Sequence, residues 1–249
     1  MEEQVDRLVE KTWAKFQATP KSKRWMVAVS GIPGSGKTTL AAKVASRLNE
    51  LWRTDSPGLS SEPGIATFLP MDGYHLTRAQ LSALPDPNTA HARRGAAFTF
   101  DGPAFLDVVK KLRQPISPES RTIWAPSFNH ALKDPVANDI PIAVGSRIVV
   151  FEGNYLSLGS GAPEWKEAAE LMDELWFVDV EEDVARQRLV KRHVKSGVAA
   201  NEEEAGRRAD ENDLVNGKEI VEGRLDVHEV ISSKEDARWQ PEEQGEATV

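Results

Sequence analysis

WMVAVSGIPGSGKTTLAAKVASRLNELW, residues 25–52, joins three kinds of sequence in one run. Residues 25–30 are short, apolar and partly β-branched, the pattern of a buried strand. Residues 31–38, GIPGSGKT, fit G-x-x-x-x-G-K-[ST], and good helix formers follow at helical spacing. A strand running into this glycine turn and out into a helix is the context that gives the motif its meaning. Gly31, Gly34 and Gly36 let the backbone curl so that successive N–H groups point at phosphate oxygens. The helix N-terminus adds partial positive charge. Lys37 is placed to reach β- and γ-phosphates, and the Thr38 hydroxyl to ligate Mg2+. Pro33, Ser35 and Thr39 complete the residues expected around the nucleotide.

Outward from this unit, residues 65–70, 147–151 and 175–180 are further strand candidates, with 226–231 as a fifth. Val5, Leu8, Val9, Trp13 and Phe16 recur at helical spacing and predict an N-terminal helix ending near Pro20. Helical stretches also fall at 103–112, 163–172, 182–195 and 202–221. Continuous apolar strands alternating with helices predict an α/β fold, with a mostly parallel sheet covered on both faces. No repeat or linker marks a boundary, so 1–232 reads as a single domain and the polar stretch 233–249 as a tail.

The chain has 249 residues, enough for one large α/β domain and too few for two. Its net charge of −8 argues against nucleic acid or an anionic membrane as the main partner, because both reward basic surfaces. There is no cysteine, which excludes disulfides, thiolate catalysis and cysteine-ligated metals. That composition fits the cytosol, and a cytoplasmic protein is the expectation. MEEQVDRLVEK at the start reads as neither a secretory signal nor a transit peptide. The apolar runs are too short to span a bilayer.

A small-molecule kinase, a GTPase switch and a motor or transport ATPase all use such a glycine turn. The guanine-reading N-K-x-D is absent; Asn216, Gly217, Lys218 and Glu219 have neither its order nor its strand. The string at 157–161, SLGSG, only faintly approaches a transporter signature and falls where a loop is expected. MDGYH, residues 71–75, ends the second strand candidate, and ligands gather at the carboxyl ends of parallel strands. Asp72 is suited there to accept a hydroxyl proton. Position alone leaves open that Asp72 and Gly73 simply form a turn.

Five motifs in order resemble the family of uridine kinase, pantothenate kinase and phosphoribulokinase: VAVSGIPGSGKTT (27–39), MDGYH, RRGAAFTFD (93–101), APSFNH (125–130) and VVFEGNY (149–155). The resemblance runs from residue 25 to about 223, and is nearest to pantothenate kinase and uridine-kinase-like relatives. It implies a three-layer P-loop NTPase fold with a small helical lid at 183–200. It also implies ATP and Mg2+ as cofactors, and a small-molecule acceptor (a nucleoside or pantothenate-like metabolite) whose hydroxyl receives the γ-phosphate. The alternative is an ATPase or regulatory nucleotide-binding module without such an acceptor. A homodimer is left open.

By position, the resemblance makes Asp72 the general base and Glu152 a metal-holding carboxylate. It places Tyr74, His75, Arg93, Arg94, Phe128, His130, Asn154 and Tyr155 at the acceptor. Arg188 and Arg192, four apart on one helical face, become lid arginines that neutralise charge on the triphosphate beside Lys37. The plainer alternatives are a strand-end carboxylate at Glu152, a solvated pair at Arg93 and Arg94, and a basic face balanced by Glu181, Glu182 and Asp183. Uridine kinase carries a tyrosine and an aspartate before the phenylalanine that matches Phe128. Their absence here weakens a pyrimidine nucleoside as acceptor.

Overall fold

Apolar side chains on both faces of the same strands impose three layers. The computed structural model describes residues 1–55 and 64–234. It runs α1 (Glu2–Gln17), β1 (Trp25–Gly31), α2 (Lys37–Asp55), β2 (Ala66–Pro70), α3 (Arg78–Ser82), α4 (Pro87–Ala92), α5 (Gly102–Arg113), β3 (Ile123–Asn129), β4 (Asp134–Ile142), β5 (Ile148–Glu152), α6 (Pro163–Glu170), β6 (Glu174–Asp179), α7 (Glu182–Lys195), α8 (Glu202–Arg208), α9 (Leu214–Gly223) and β7 (Glu229–Ser232). Short 3-10 turns occupy Met71–Tyr74 and Ala97–Thr99, and a π-helical turn, Ala209–Asp213, separates α8 from α9.

Five strands form a parallel sheet in the order β2-β5-β1-β6-β7. Met26, Ala28, Val149, Phe151, Leu175 and Phe177 face a layer that includes Phe105, Tyr155 and Trp165. Val27, Val29, Ile148, Val150, Trp176 and Val178 face the layer of α1 and α2. The period-two alternation therefore buries both faces, as continuous apolar strands require. From β1 the chain leaves through α2 toward the β2 edge; from β6 it leaves through α7, α8 and α9 toward the β7 edge. Connections departing in opposite directions open a crevice at the carboxyl ends of β1 and β6.

α1 is tied to the first residues of β6 and β7 by charge. Lys11 pairs with Glu174 at 2.9 Å and Glu229 at 2.7 Å, and Arg7 with Glu229 at 2.8 Å. Among the described residues no helix is long and apolar enough to cross a membrane.

Three local expectations change. An antiparallel hairpin, β3–β4, stands apart from the main sheet and breaks register between Ala125 and Ser127. Pro126, Pro135 and Pro141 hide it in the sequence, because proline reads against a strand. The helix expected over 202–221 is broken by the π turn. Ser233, expected in the loose tail, is held: its N–H donates to Asp179 O at 2.7 Å. Residues 235–249 of that tail lie outside the described residues.

Candidate active site

Strand register brings three motifs together. Glu152, the last residue of β5, lies beside Val29 of β1 and Pro70 of β2. The glycine turn after β1 and the Met71–Tyr74 turn after β2 therefore flank the Glu152 carboxylate. In the glycine turn, Gly34 and Gly36 have φ of 81° and 88°, the left-handed region that side chains disfavour. A Cβ on Gly34 would stand 2.7 Å from the Ala185 carbonyl of α7, so glycine is needed for approach as well as for φ. The Ser35 N–H closes the turn on Ile32 O at 3.1 Å.

Lys37 and Glu152 are both buried, with Nζ and Oε1 3.9 Å apart, and the Thr38 hydroxyl donates to the same Oε1 at 3.1 Å. Burial pushes the Lys37 ammonium below its ordinary range and the Glu152 carboxyl up to about 7, while each charge opposes the other's shift. Asp72 raises Glu152 further, and Arg192 lowers both groups.

The Asp72 side chain is 49% exposed at this end of the sheet. Gly73 beside it is fixed by packing: a Cβ there would stand 2.1 Å from the Pro126 carbonyl of β3. His75 Nδ1 lies 2.9 Å from Asp72 O, and its ring is 4.0 Å from Phe100 and 5.0 Å from Phe128. His130 lies 5.2 Å from Phe128, and the Arg94 guanidinium 5.6 Å over the same ring. Asp72, His75, Arg94, Phe128 and His130 thus converge from separate segments.

Two expected acceptor contacts lie elsewhere. Tyr74 and Tyr155 are core residues rather than cleft residues. Tyr74 packs edge-on against Phe105, and Tyr155 donates its hydroxyl to Gly95 O at 2.7 Å. Aromatic bulk favours the core side of each turn, and the Tyr155 hydroxyl finds a backbone partner there. Asn154 is half-buried between Gly153 and Tyr155. Arg93 and Arg94 are not a solvated pair. Arg93 donates to Asn216 Oδ1 at 2.7 Å, and Arg94 pairs with Asp134 at 3.1 Å and donates to Leu76 O at 3.1 Å.

α7 lies over the glycine turn. Arg188 Nη1 donates to Gly34 O at 3.2 Å and to Ser233 Oγ at 2.9 Å. Arg192, one turn on, is exposed, yet its charge is felt at Lys37 and Glu152. Glu182 and Asp183 occupy the first turn of α7, where acidic residues complement the helix dipole.

The phosphoribulokinase / uridine kinase family matches this sequence over residues 26–199, from the first strand through the end of α7. The chain belongs to that family. An ATP-dependent kinase-like protein of Aspergillus versicolor is 52% identical over 161 residues, covering 65% of this chain and 92% of the relative. A Schizosaccharomyces pombe protein provisionally named a uridine kinase is 40% identical over 193 residues, covering 78% of this chain and 76% of its own length. A solved structure from Silicibacter sp. TM1040, provisionally described as a fructose transport system kinase, is 29% identical with a TM-score of 0.73, covering 91% and 98% of the two chains. The crystal structure of Saccharomyces cerevisiae YFH7, 24% identical with a TM-score of 0.78 and covering 93% and 99%, shares the fold.

As a member of the phosphoribulokinase / uridine kinase family, the chain is a P-loop kinase with an ATP-binding glycine turn. Its donor set fits a triphosphate and a hard divalent cation. Ser35 Oγ is buried with no hydrogen-bond partner among the described residues, and Thr38 and Glu152 offer two oxygens 3.1 Å apart. Among the described residues no group of three or more His, Asp or Glu side chains is placed to hold a metal. Thr38 and Glu152 are the kind of oxygen pair that Mg2+ takes, since it is usually held by one or two side chains, substrate phosphates and water. Residues that motif reading missed also border the site. Phe100 stacks on His75; Asn212 and Asn216 reach Arg94 O and Arg93; His193 and Asp213 pair behind Arg192. Phe100 was within reach, inside RRGAAFTFD, whereas no local signal marks the others.

Proposed function

We propose that this kinase transfers the γ-phosphoryl group of ATP to a hydroxyl of a small-molecule acceptor, a nucleoside or a pantothenate-like metabolite. The observation that carries the reading is the juxtaposition at the sheet's carboxyl end. Lys37 and Glu152 are buried together, the exposed Thr38 reaches the same carboxylate through its hydroxyl, and a half-exposed Asp72 stands beside them on the neighbouring strand end. The backbone of the glycine turn and Lys37 hold the triphosphate; Thr38 and Glu152 hold Mg2+, directly or through its waters. When bound, the cation screens phosphate charge. Asp72 takes the proton of the acceptor hydroxyl, whose oxygen then forms a bond to the γ-phosphorus as the bond to the β–γ bridging oxygen breaks. ADP carries away the electrons of that bond. Arg192 and Lys37 offset charge on the transferring group. His75, Phe128, His130 and Arg94 border the acceptor, with Asn154 at the adjoining strand end. The uridine kinase name of the fission yeast relative supports an alcohol acceptor. A cytoplasmic setting fits a chain that carries no cysteine.

ADP release from purified protein with ATP and Mg2+, screened against nucleosides, pantothenate and sugar acids, tests this. Release that rises at least tenfold with one class of acceptor is the expected result. Steady hydrolysis indifferent to every acceptor would instead support an ATPase.

A further inference from the structure

Behind the arginines of α7 lies a buried pair that neither the glycine turn nor the acceptor segment uses. His193 is 6% exposed, on the face of α7 turned away from solvent, directly after Arg192. Its Nε2 lies 2.9 Å from Asp213 Oδ2, and the two side chains are 7% and 13% exposed. Asp213 ends the π-helical turn, a rare geometry that is frequent at functional sites because it re-aims the residues that follow. The same turn grips α7 a second time, through a two-pronged pair between Arg186 and Asp210 at 2.6 and 2.8 Å. From its other side Asn212 donates to Arg94 O at 3.1 Å, and one turn on, in α9, Asn216 accepts from Arg93 at 2.7 Å. One turn thus links the helix over the glycine turn to the acceptor segment. The charges of Arg192 and Asp213 both act on Lys37, which puts the pair within electrostatic reach of the triphosphate cradle.

We infer that Asp213 is a positioning residue: by fixing His193 it sets the rotation of α7 and so aims Arg192 at the γ-phosphate. The inference rests on Arg192 facing bound triphosphate, as proposed above. A buried, nearly dry hydrogen bond suits this task because it restricts the helix, whereas an exposed pair of long side chains leaves it free. Arg186 and Asp210 are such an exposed pair, each side chain more than 40% exposed. Asp213 is therefore the dominant anchor.

The experiment needs no acceptor, so its outcome is separable from that of the transfer reaction. Calorimetry measures the affinity ratio of a non-hydrolysable ATP analogue over ADP, with Mg2+, for full-length variants. Wild type and Arg192→Ala come first: a tenfold lower ratio in Arg192→Ala establishes the premise, and an unchanged ratio overturns the inference with it. Asp213→Ala should lower the ratio about tenfold in the wild-type background and have no further effect in the Arg192→Ala background. Coupled residues are non-additive in this way, and independent ones are not. Asp213→Asn keeps an oxygen for the His193 N–H and should restore the ratio to within threefold of wild type. An equal loss in both backgrounds, an unchanged ratio in Asp213→Ala, or no rescue by asparagine each overturns the assignment. Should Asp213→Ala not yield folded protein, His193→Asn withdraws the same contact from the α7 side and is read identically.

Discussion

The Thr38 hydroxyl donates to Glu152 Oε1 at 3.1 Å, joining residues 114 positions apart in sequence. One opens α2 and the other ends β5, and they meet because β1 and β5 pair with Val29 opposite Glu152. Neither oxygen is a strong metal site alone. Together they form the oxygen-rich corner that a triphosphate and a hard cation need.

Glu152→Gln tests that corner, since a neutral amide is a poorer partner for Mg2+. The Mg2+ concentration for half-maximal turnover should rise about tenfold or more, while the acceptor KM shifts by less than about threefold. An unchanged Mg2+ titration would return Glu152 to a purely structural role.

Lys37→Ala separates function from stability. The ammonium is buried and held below its ordinary pKa, so removing it relieves a desolvation cost. Because Glu152 then loses its buried counter-charge, the two effects oppose and the melting temperature should change little, while turnover falls by about 10²-fold or more through lost charge on the γ-phosphate. Turnover within about threefold of wild type, or only ~0.7 kcal/mol of barrier, would exclude the lysine from transfer.

Asp72→Asn keeps shape and turn geometry but cannot take a proton. Transfer should slow by about 10²–10⁴-fold with ATP affinity spared. Calorimetry beside acceptor-dependent ADP release distinguishes the outcomes: near-wild-type transfer excludes Asp72 as the base, and parallel loss of affinity assigns it to metal or fold.

Gly73→Ala should destabilise without touching chemistry directly. Its Cβ would stand 2.1 Å from the Pro126 carbonyl, and backbone cannot swing aside as a flexible side chain does. A cost of about 2 kcal/mol or more is expected, lowering Tm by roughly 4 °C or more. A melt unchanged by the substitution would mean that the hairpin does not press on this turn.

His75 should make the fold acid-sensitive. Burial lowers its pKa below the ordinary 6.5, with Asp72 opposing the shift. Between that lowered value and about 6.5 the unfolded chain binds more protons, so stability is full above about 6.5 and is lost as pH falls toward the folded value. Urea unfolding at pH 7.5 and 5.5 checks this. His75→Asn, which keeps a group near Asp72 O, should lose less stability on acidification than wild type; an equal loss would place the sensitivity elsewhere.

Residues 25–52 were legible because what they encode is local. A buried strand, a curl that needs glycine and an amphipathic helix each leave their period or residue type in adjacent positions. The same logic located every strand of the parallel sheet to within three residues at each end. It failed where a local rule met a tertiary exception, as at the proline-bearing hairpin. Motif membership also marks a neighbourhood without fixing direction. In MDGYH the Asp72 side chain is half-exposed, while Tyr74, two residues on, packs into the core. Tyr155 is likewise spent on Gly95 O.

By itself, then, the sequence determined the layers, the triphosphate turn and the chemical types available at the strand ends, since periodicity and residue chemistry are properties of short stretches. Only the tertiary structure decided that Glu152 stands between Thr38 and Asp72, that Arg188 reaches Gly34, and that His193 meets Asp213. Those meetings depend on which strand ends are neighbours and on how helices rotate against them. Strand order, register and helix rotation are fixed by burial summed over the whole core, and no local spacing records that sum.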